Sequence, residues 1–159
     1  MTDLSVSLLP LSKFSGNTLE SHLEYLRKTR NSSKEFMTRS QEDVTPEMQK
    51  HWYKNLADNF LPYIFIASEH GTIFYPVGYG TISVENNSVL LTGVVDSTMR
   101  GKGLGKKLFS SLIDEGKKIC DSVLLEVLIT NQVAQNLYKS LGFVETSRTD
   151  KVINMELRE

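Results

Sequence analysis

The chain has 159 residues, 40% of them apolar and 23% charged, and 18 Lys plus Arg against 19 Asp plus Glu leave a formal charge of −1. These values fit one compact domain over residues 1–159 and exclude a disordered tail, and the neutral balance leaves no overall field to gather nucleic acid. The single cysteine, Cys120, forms no internal disulfide, no run of 18 apolar residues offers a bilayer span, and no cationic start precedes an apolar stretch, so a cytoplasmic setting away from membranes is expected.

Ser5–Leu11, SVSLLPL, reads as an edge strand because Pro10 cannot donate to a ladder. A helix over Ser15–Thr29 is expected from Leu19, Leu23 and Leu26, with His22 and Tyr25 alongside. Thr45-Pro46-Glu47 reads as an N-cap with proline in the first helical position, opening a helix through Trp52, Tyr53 and Leu56. From Tyr63 the pattern alternates, and turn residues at His70-Gly71 and Asn86-Asn87 divide it into three strands of a meander. Leu104, Leu108, Phe109, Leu112, Ile113 and Ile119 recur at helical spacing within Gly103–Ile119. Ser122–Ile129 is a strand, Asn131–Leu141 a helix stopped by Gly142, and KVINMEL a last strand. Together they give an α/β fold, a mixed and mostly antiparallel sheet of about six to seven strands flanked by helices.

The most specific stretch is Val94–Leu108, VVDSTMRGKGLGKKL. Gly101, Gly103 and Gly105 allow a tight turn and a close backbone approach to a ligand where a strand feeds a helix. The helix start offers unpaired N–H groups and partial positive charge, to which Arg100, Lys102, Lys106 and Lys107 add full charges. A phosphate or pyrophosphate is the natural guest. The Walker spacing is absent, since Gly105-Lys106 is followed by Lys107 where a magnesium-binding hydroxyl belongs, and G-x-G-x-G departs from the dinucleotide fingerprint G-x-G-x-x-G.

Arg100-Gly101-Lys102-Gly103-Leu104-Gly105 resembles the R/Q-x-x-G-x-G/A loop of the GNAT superfamily of N-acetyltransferases. The stretch LLEVLITNQVAQNLYKSLGF, Leu124–Phe143, is similar to that superfamily's second signature, with Asn131, Ala134, Tyr138, Gly142 and Phe143 in place. The resemblance implies a GNAT fold, acetyl-CoA as co-substrate, and a cofactor site made by Val94, Val95, Arg100, Gly101, Lys102, Gly103, Leu104, Gly105, Lys106, Asn131 and Tyr138. It implies direct transfer in a ternary complex, with main-chain N–H groups near Val94 and Val95 polarising the acetyl carbonyl and Tyr138 as general acid. Glu126, a carboxylate in an otherwise apolar strand, is the candidate base, set against the plainer reading of a polar residue beside the cleft. Asn131 is expected to cap the helix that follows.

Arg27–Asn55 resembles the opening of a GNAT branch that includes enzymes acetylating nucleotide-linked amino sugars. On that likeness Arg30, Asn31, Phe36 and Met37 would line or brace the acceptor cleft, with Trp52 a core anchor. Gly93, unusual inside a strand, is expected to mark a bulge that opens the cleft. Three scattered histidines and one cysteine suggest no metal site. The expectation is an acetyl-CoA-dependent N-acetyltransferase for a small-molecule amine, an amino sugar or similar. The alternatives are acetylation of protein N-termini or side chains, or a non-catalytic acyl-CoA sensor. A homodimer is compatible with the sequence.

Overall fold

The structure, a computed structural model, describes residues 4–158. Strand β1 (Leu4–Pro10) is followed by helices α1 (Gly16–Ser32) and α2 (Pro46–Lys54), the meander β2 (Phe60–Glu69), β3 (Ile73–Glu85) and β4 (Ser88–Val95), helix α3 (Leu104–Lys117), strand β5 (Ser122–Leu128), helix α4 (Gln132–Ser140), and the pair β6 (Phe143–Arg148) and β7 (Val152–Leu157). All seven strands form one sheet in the order β1-β2-β3-β4-β5-β7-β6. Every pairing is antiparallel except β4 with β5, which are joined by the α3 crossover.

The expected elements are present, with α1 running three residues further than its leucines require. The hairpin turns fall where expected: Asn86-Asn87 is a two-residue loop between Glu85 and Ser88, His70-Gly71 opens a three-residue loop between Glu69 and Ile73, and all four residues have positive φ. Strand β6 has no counterpart among the expected elements. Its sequence FVETSR leaves every residue after Phe143 exposed on a sheet edge, so it carries no apolar pattern to read.

The sheet separates two apolar clusters. Leu104, Leu108, Phe109 and Leu112 of α3 pack on Val89, Leu91, Val123, Leu125 and Val127, joined by Tyr138 of α4. Full burial of one such leucine is worth about 1.5–3 kcal/mol, which fixes α3 against the sheet. On the opposite face Leu26 of α1 packs with Leu11, Ile64, Tyr79 and Val94.

Gly93 is not a bulge. Its pairing with Gly80 lies in an unbroken β3–β4 register, and a Cβ at Gly93 would lie 2.9 Å from the Phe109 ring. The glycine makes room for that ring. The register break of the meander instead lies between Phe65 and Ile66 of β2 against β3.

Candidate active site

Strands β4 and β5 pair only from Ser88–Leu91 to Ser122–Leu125. Beyond Leu91 and Leu125 they part: β4 continues to Val95 bonded to β3, and β5 continues to Leu128 bonded to β7. The result is a gap inside the sheet lined by unpaired main-chain groups. The Asp96 N–H donates to Val77 O across β3 at 2.9 Å. Alternation along an extended strand therefore turns the N–H groups of Gly93 and Val95 the other way, into the gap. Val94 and Val95 end β4 beside this gap, Val94 facing α1 and Val95 facing α3.

At the wide end of the gap a short turn over Ser97–Met99 leads to the glycine loop. Gly101 and Gly103 have φ of 80° and 75°, and a Cβ at either would meet nothing within 4 Å. The backbone there needs glycine for its conformation, and the surrounding space is open. Gly105 differs: it lies in the first turn of α3, where a Cβ would come within 3.3 Å of Leu137 of α4. It serves helix packing, a distinction that the run of three glycines does not reveal.

Gly103 caps α3 without any side-chain hydrogen bond. The N–H groups of Leu104, Gly105 and Lys106 therefore have no intrahelical acceptor, and the helix dipole adds partial positive charge at the same place. Lys102, Lys106 and Lys107 are exposed around this helix start. Arg100 takes another course: its guanidinium donates to Ser33 Oγ at 3.0 Å and lies 5.3 Å over the Phe36 ring, tying the loop to the end of α1. The residues present fit a pyrophosphate, with a ring of main-chain donors and three cations to hold it.

Tyr138 projects from α4 beside the gap, its ring edge-on to Phe109 at 4.8 Å and Phe143 at 6.1 Å. Burial pushes its phenol well above the ordinary value, so it stays protonated at any physiological pH. Asn131 caps α4, accepting from the Ala134 N–H at 3.2 Å, and Gln135 fixes the preceding turn by donating to Leu128 O and Ile129 O.

The other face carries charge. Glu126, the first β5 residue past the last pairing with β4, accepts from Arg39 Nε and the Arg39 terminal nitrogen, both at 3.1 Å, and from Thr38 Oγ1 at 3.0 Å. The Arg39 hydrogen bond holds its carboxyl below the ordinary range against the opposing effect of burial, and Thr38 adds to it. Thr38 and Arg39 lie on the strap joining α1 to α2, which sequence periodicity left unread. Three α1 side chains staple that strap: Arg30 donates to Ser40 O at 2.6 Å and to Glu42 O, Asn31 exchanges two bonds with Val44, and Arg27 donates to Val44 O at 3.2 Å. Arg30 and Asn31 are thus braces of the strap, Met37 packs on the Leu11–Val94 cluster, and Trp52 stands half-buried edge-on to Phe60.

Arg39 and Glu126 also border an open pocket of about 250 Å³ that runs over the paired part of β4 and β5 to Glu85, Asn86 and Ser88 at the β3–β4 hairpin. Asp96 ends the gap on the same side, where burial opposes its charge yet bonds from Thr98 and Tyr25 keep its carboxyl below the ordinary value. Of the histidines, His22 and His51 lie on α1 and α2 and His70 in a hairpin turn. Among the described residues no group of three or more His, Cys, Asp or Glu is placed to hold a metal ion.

A split mixed sheet with a glycine-turned helix start at the mouth of the split defines a protein class that binds a pyrophosphate-bearing cofactor along an open strand edge. Residues 24–143 match the family described as Acetyltransferase (GNAT) family, and the chain belongs to that family. Over 95 residues, 55% of this chain and 54% of the relative, it is 35% identical to N-alpha-acetyltransferase 30 of Saccharomyces cerevisiae. The chain spans about half, or less, of the length of the curated relatives it matches. Among solved structures, a domain from Methanocaldococcus jannaschii superposes with a TM-score of 0.80 at 19% identity, covering 98% of this chain and 99% of that one. YncA, a putative acetyltransferase from Salmonella typhimurium with its cofactor acetyl-CoA, superposes at 0.71 and 18% identity, covering 98% and 93%. At such identities the likeness is one of fold.

Proposed function

We propose that this chain is a single acetyltransferase domain that transfers an acetyl group from acetyl-CoA to a primary amine by direct attack in a ternary complex. The observation that carries the reading is the coincidence of the β4–β5 gap with the unpaired helix start of α3. The pyrophosphate would sit on the N–H groups of Leu104–Lys106 with Lys102 and Lys106 beside it, and the pantetheine arm would bond the open edge of β4. In that position the Val95 N–H, turned into the gap, polarises the thioester carbonyl as negative charge builds on its oxygen. Tyr138, on the α3 side, donates its proton to the departing thiolate.

The amine approaches from the α1 side and must lose a proton. Glu126 takes it directly or through water, once Arg39 has released its hold, because a carboxylate engaged by a guanidinium and a hydroxyl has its lone pairs occupied. A second reading, acetylation of a peptide N-terminus, is favoured by the 35% identity to a relative named for that activity. The setting is cytoplasmic; among the described residues no helix is long and apolar enough to cross a membrane. The experiment is calorimetry with acetyl-CoA followed by thiol release against amino sugars, polyamines and peptide N-termini. Binding with release for one class identifies the acceptor; binding without release for any class would support an acyl-CoA sensor instead.

A further inference from the structure

Glu126 is engaged by a cation of its own chain. Arg39 bonds both carboxylate oxygens, Nε to Oε1 and Nη2 to Oε2, each at 3.1 Å, and Thr38 Oγ1 donates to Oε1 at 3.0 Å. A carboxylate offers about four lone-pair sites, so three donors leave little room for another. The same two oxygens are where an ammonium group entering the acceptor side would bind before it gives up its proton. Arg39 and the amine therefore compete for one carboxylate.

The pair is a weak one. The Arg39 side chain is 65% exposed and that of Glu126 22%, a setting in which an ion pair contributes little. The backbone around Arg39 is pinned, since Gln41 donates to Glu35 O and Met37 O at 3.1 and 3.2 Å and Arg30 donates to Ser40 O at 2.6 Å. Opening the pair is thus a turn of the long Arg39 side chain and leaves the strap in place. The guanidinium also has somewhere to go. Among the residues lining the open pocket it is the one cation, set against two carboxylates, Glu126 and Glu85. The Glu85 charge acts on Arg39, and among the described residues Glu85 accepts a hydrogen bond only from Ser83 Oγ, at 3.3 Å.

Resting on the transferase reading above, we propose that Arg39 is a tethered competitor for the acceptor: its guanidinium holds the place of the amine's ammonium group on Glu126 and, displaced by it, turns along the pocket toward Glu85. The acceptor binds as a cation, and uncovering the base is part of that binding. Exchange of one cation for another leaves no carboxylate bare, whereas an amine that is uncharged in solution must break the pair without replacing it. Arg39 thereby selects amines that are protonated at neutral pH, and it acts on their affinity more than on the rate of the chemical step.

Three measurements decide it. In Arg39→Ala, KM for the amine found in the thiol-release panel falls about two- to fivefold, the range expected of an exposed pair, and kcat changes by less than twofold. In Glu85→Gln, KM rises, and this effect vanishes when Arg39→Ala is also present, because Glu85 acts through Arg39 alone. Independently of turnover, the chain loaded with CoA is titrated with n-propylammonium chloride, against potassium chloride at equal ionic strength. The Arg39 15Nε resonance, assigned by its absence in Arg39→Ala, and the Glu126 carboxyl carbon shift with one half-saturation, and in Arg39→Ala that carbon saturates at lower amine concentration. A KM unchanged or raised in Arg39→Ala, a Glu85→Gln effect that survives in the double variant, or an Arg39 resonance that stays still while Glu126 saturates would overturn the proposal. Should acetyl-CoA bind and no amine be turned over, the transferase reading fails, and the two resonances alone decide whether Arg39 and an amine compete.

Discussion

On the α3 side of the β4–β5 gap, Val95, Leu125 and Val127 lie in a continuous apolar cluster with Leu104, Phe109 and Tyr138. On the α1 side, one residue along each strand, Val94 and Glu126 lie near a strap held by Arg27, Arg30 and Asn31, and the gap is edged by Asp96 and Tyr25. The same two strands thus present a dry wall to one face and a polar cleft to the other, because side chains alternate and main-chain groups point between them. A thioester arm wants the first surroundings and an amine that must shed a proton wants the second. The gap is where the two meet.

The largest expected effect breaks the cofactor side. Gly103→Val forces a β-branched residue into φ of 75°, a strain of about 1–3 kcal/mol, and places methyl groups where the pyrophosphate would lie. CoA affinity measured by calorimetry falls by about 100-fold or more, while the chain remains folded by circular dichroism. Next, Tyr138→Phe lowers kcat by about 10²–10⁴ with CoA affinity within twofold. An undiminished rate would remove the acid role and leave the dry face as a binding wall alone.

Changes on the polar side are smaller and bear on pH. The folded Glu126 carboxyl titrates below its ordinary value because Arg39 and Thr38 bond its charged form. The pair therefore contributes its stability above the unfolded pKa, and that contribution is lost as pH falls through the folded one. With the Arg39 side chain 65% exposed, the contribution is below about 1 kcal/mol. In Arg39→Ala the Glu126 carboxyl, followed by carbon NMR, titrates at higher pH than in the parent. An unmoved titration would show that Arg39 does not hold it. The smallest effect concerns the frame: Asn131→Ala removes the cap of α4 and costs about 1 kcal/mol, lowering the melting temperature by a few degrees.

The two sides were also unequally legible. The cofactor side is written in local sequence: glycine spacing, the helix period of Leu104–Ile113, and Asn131 and Gly142 bracketing α4 each act within a few residues of themselves. Even so, Gly93 read as a bulge and Gly105 as a loop glycine, because what they admit, Phe109 and Leu137, is set by packing across elements. The acceptor side depends on contacts distant in sequence. Thr38 and Arg39 reach Glu126 across 88 and 87 positions, in a strap with no period of its own. Arg30 and Asn31 could be singled out from the sequence, but their role as staples follows only from where the strap carbonyls fall.

The central claim is that main-chain N–H groups at the start of α3 and along the open edge of β4 hold the cofactor. Backbone amide exchange, followed residue by residue with and without acetyl-CoA, tests it most directly. The account predicts that exchange slows on binding at Leu104, Gly105, Lys106 and Val95 and is unchanged in β1 and β2. Slowing confined to other segments, or no change at these four amides while acetyl-CoA is bound, would contradict it.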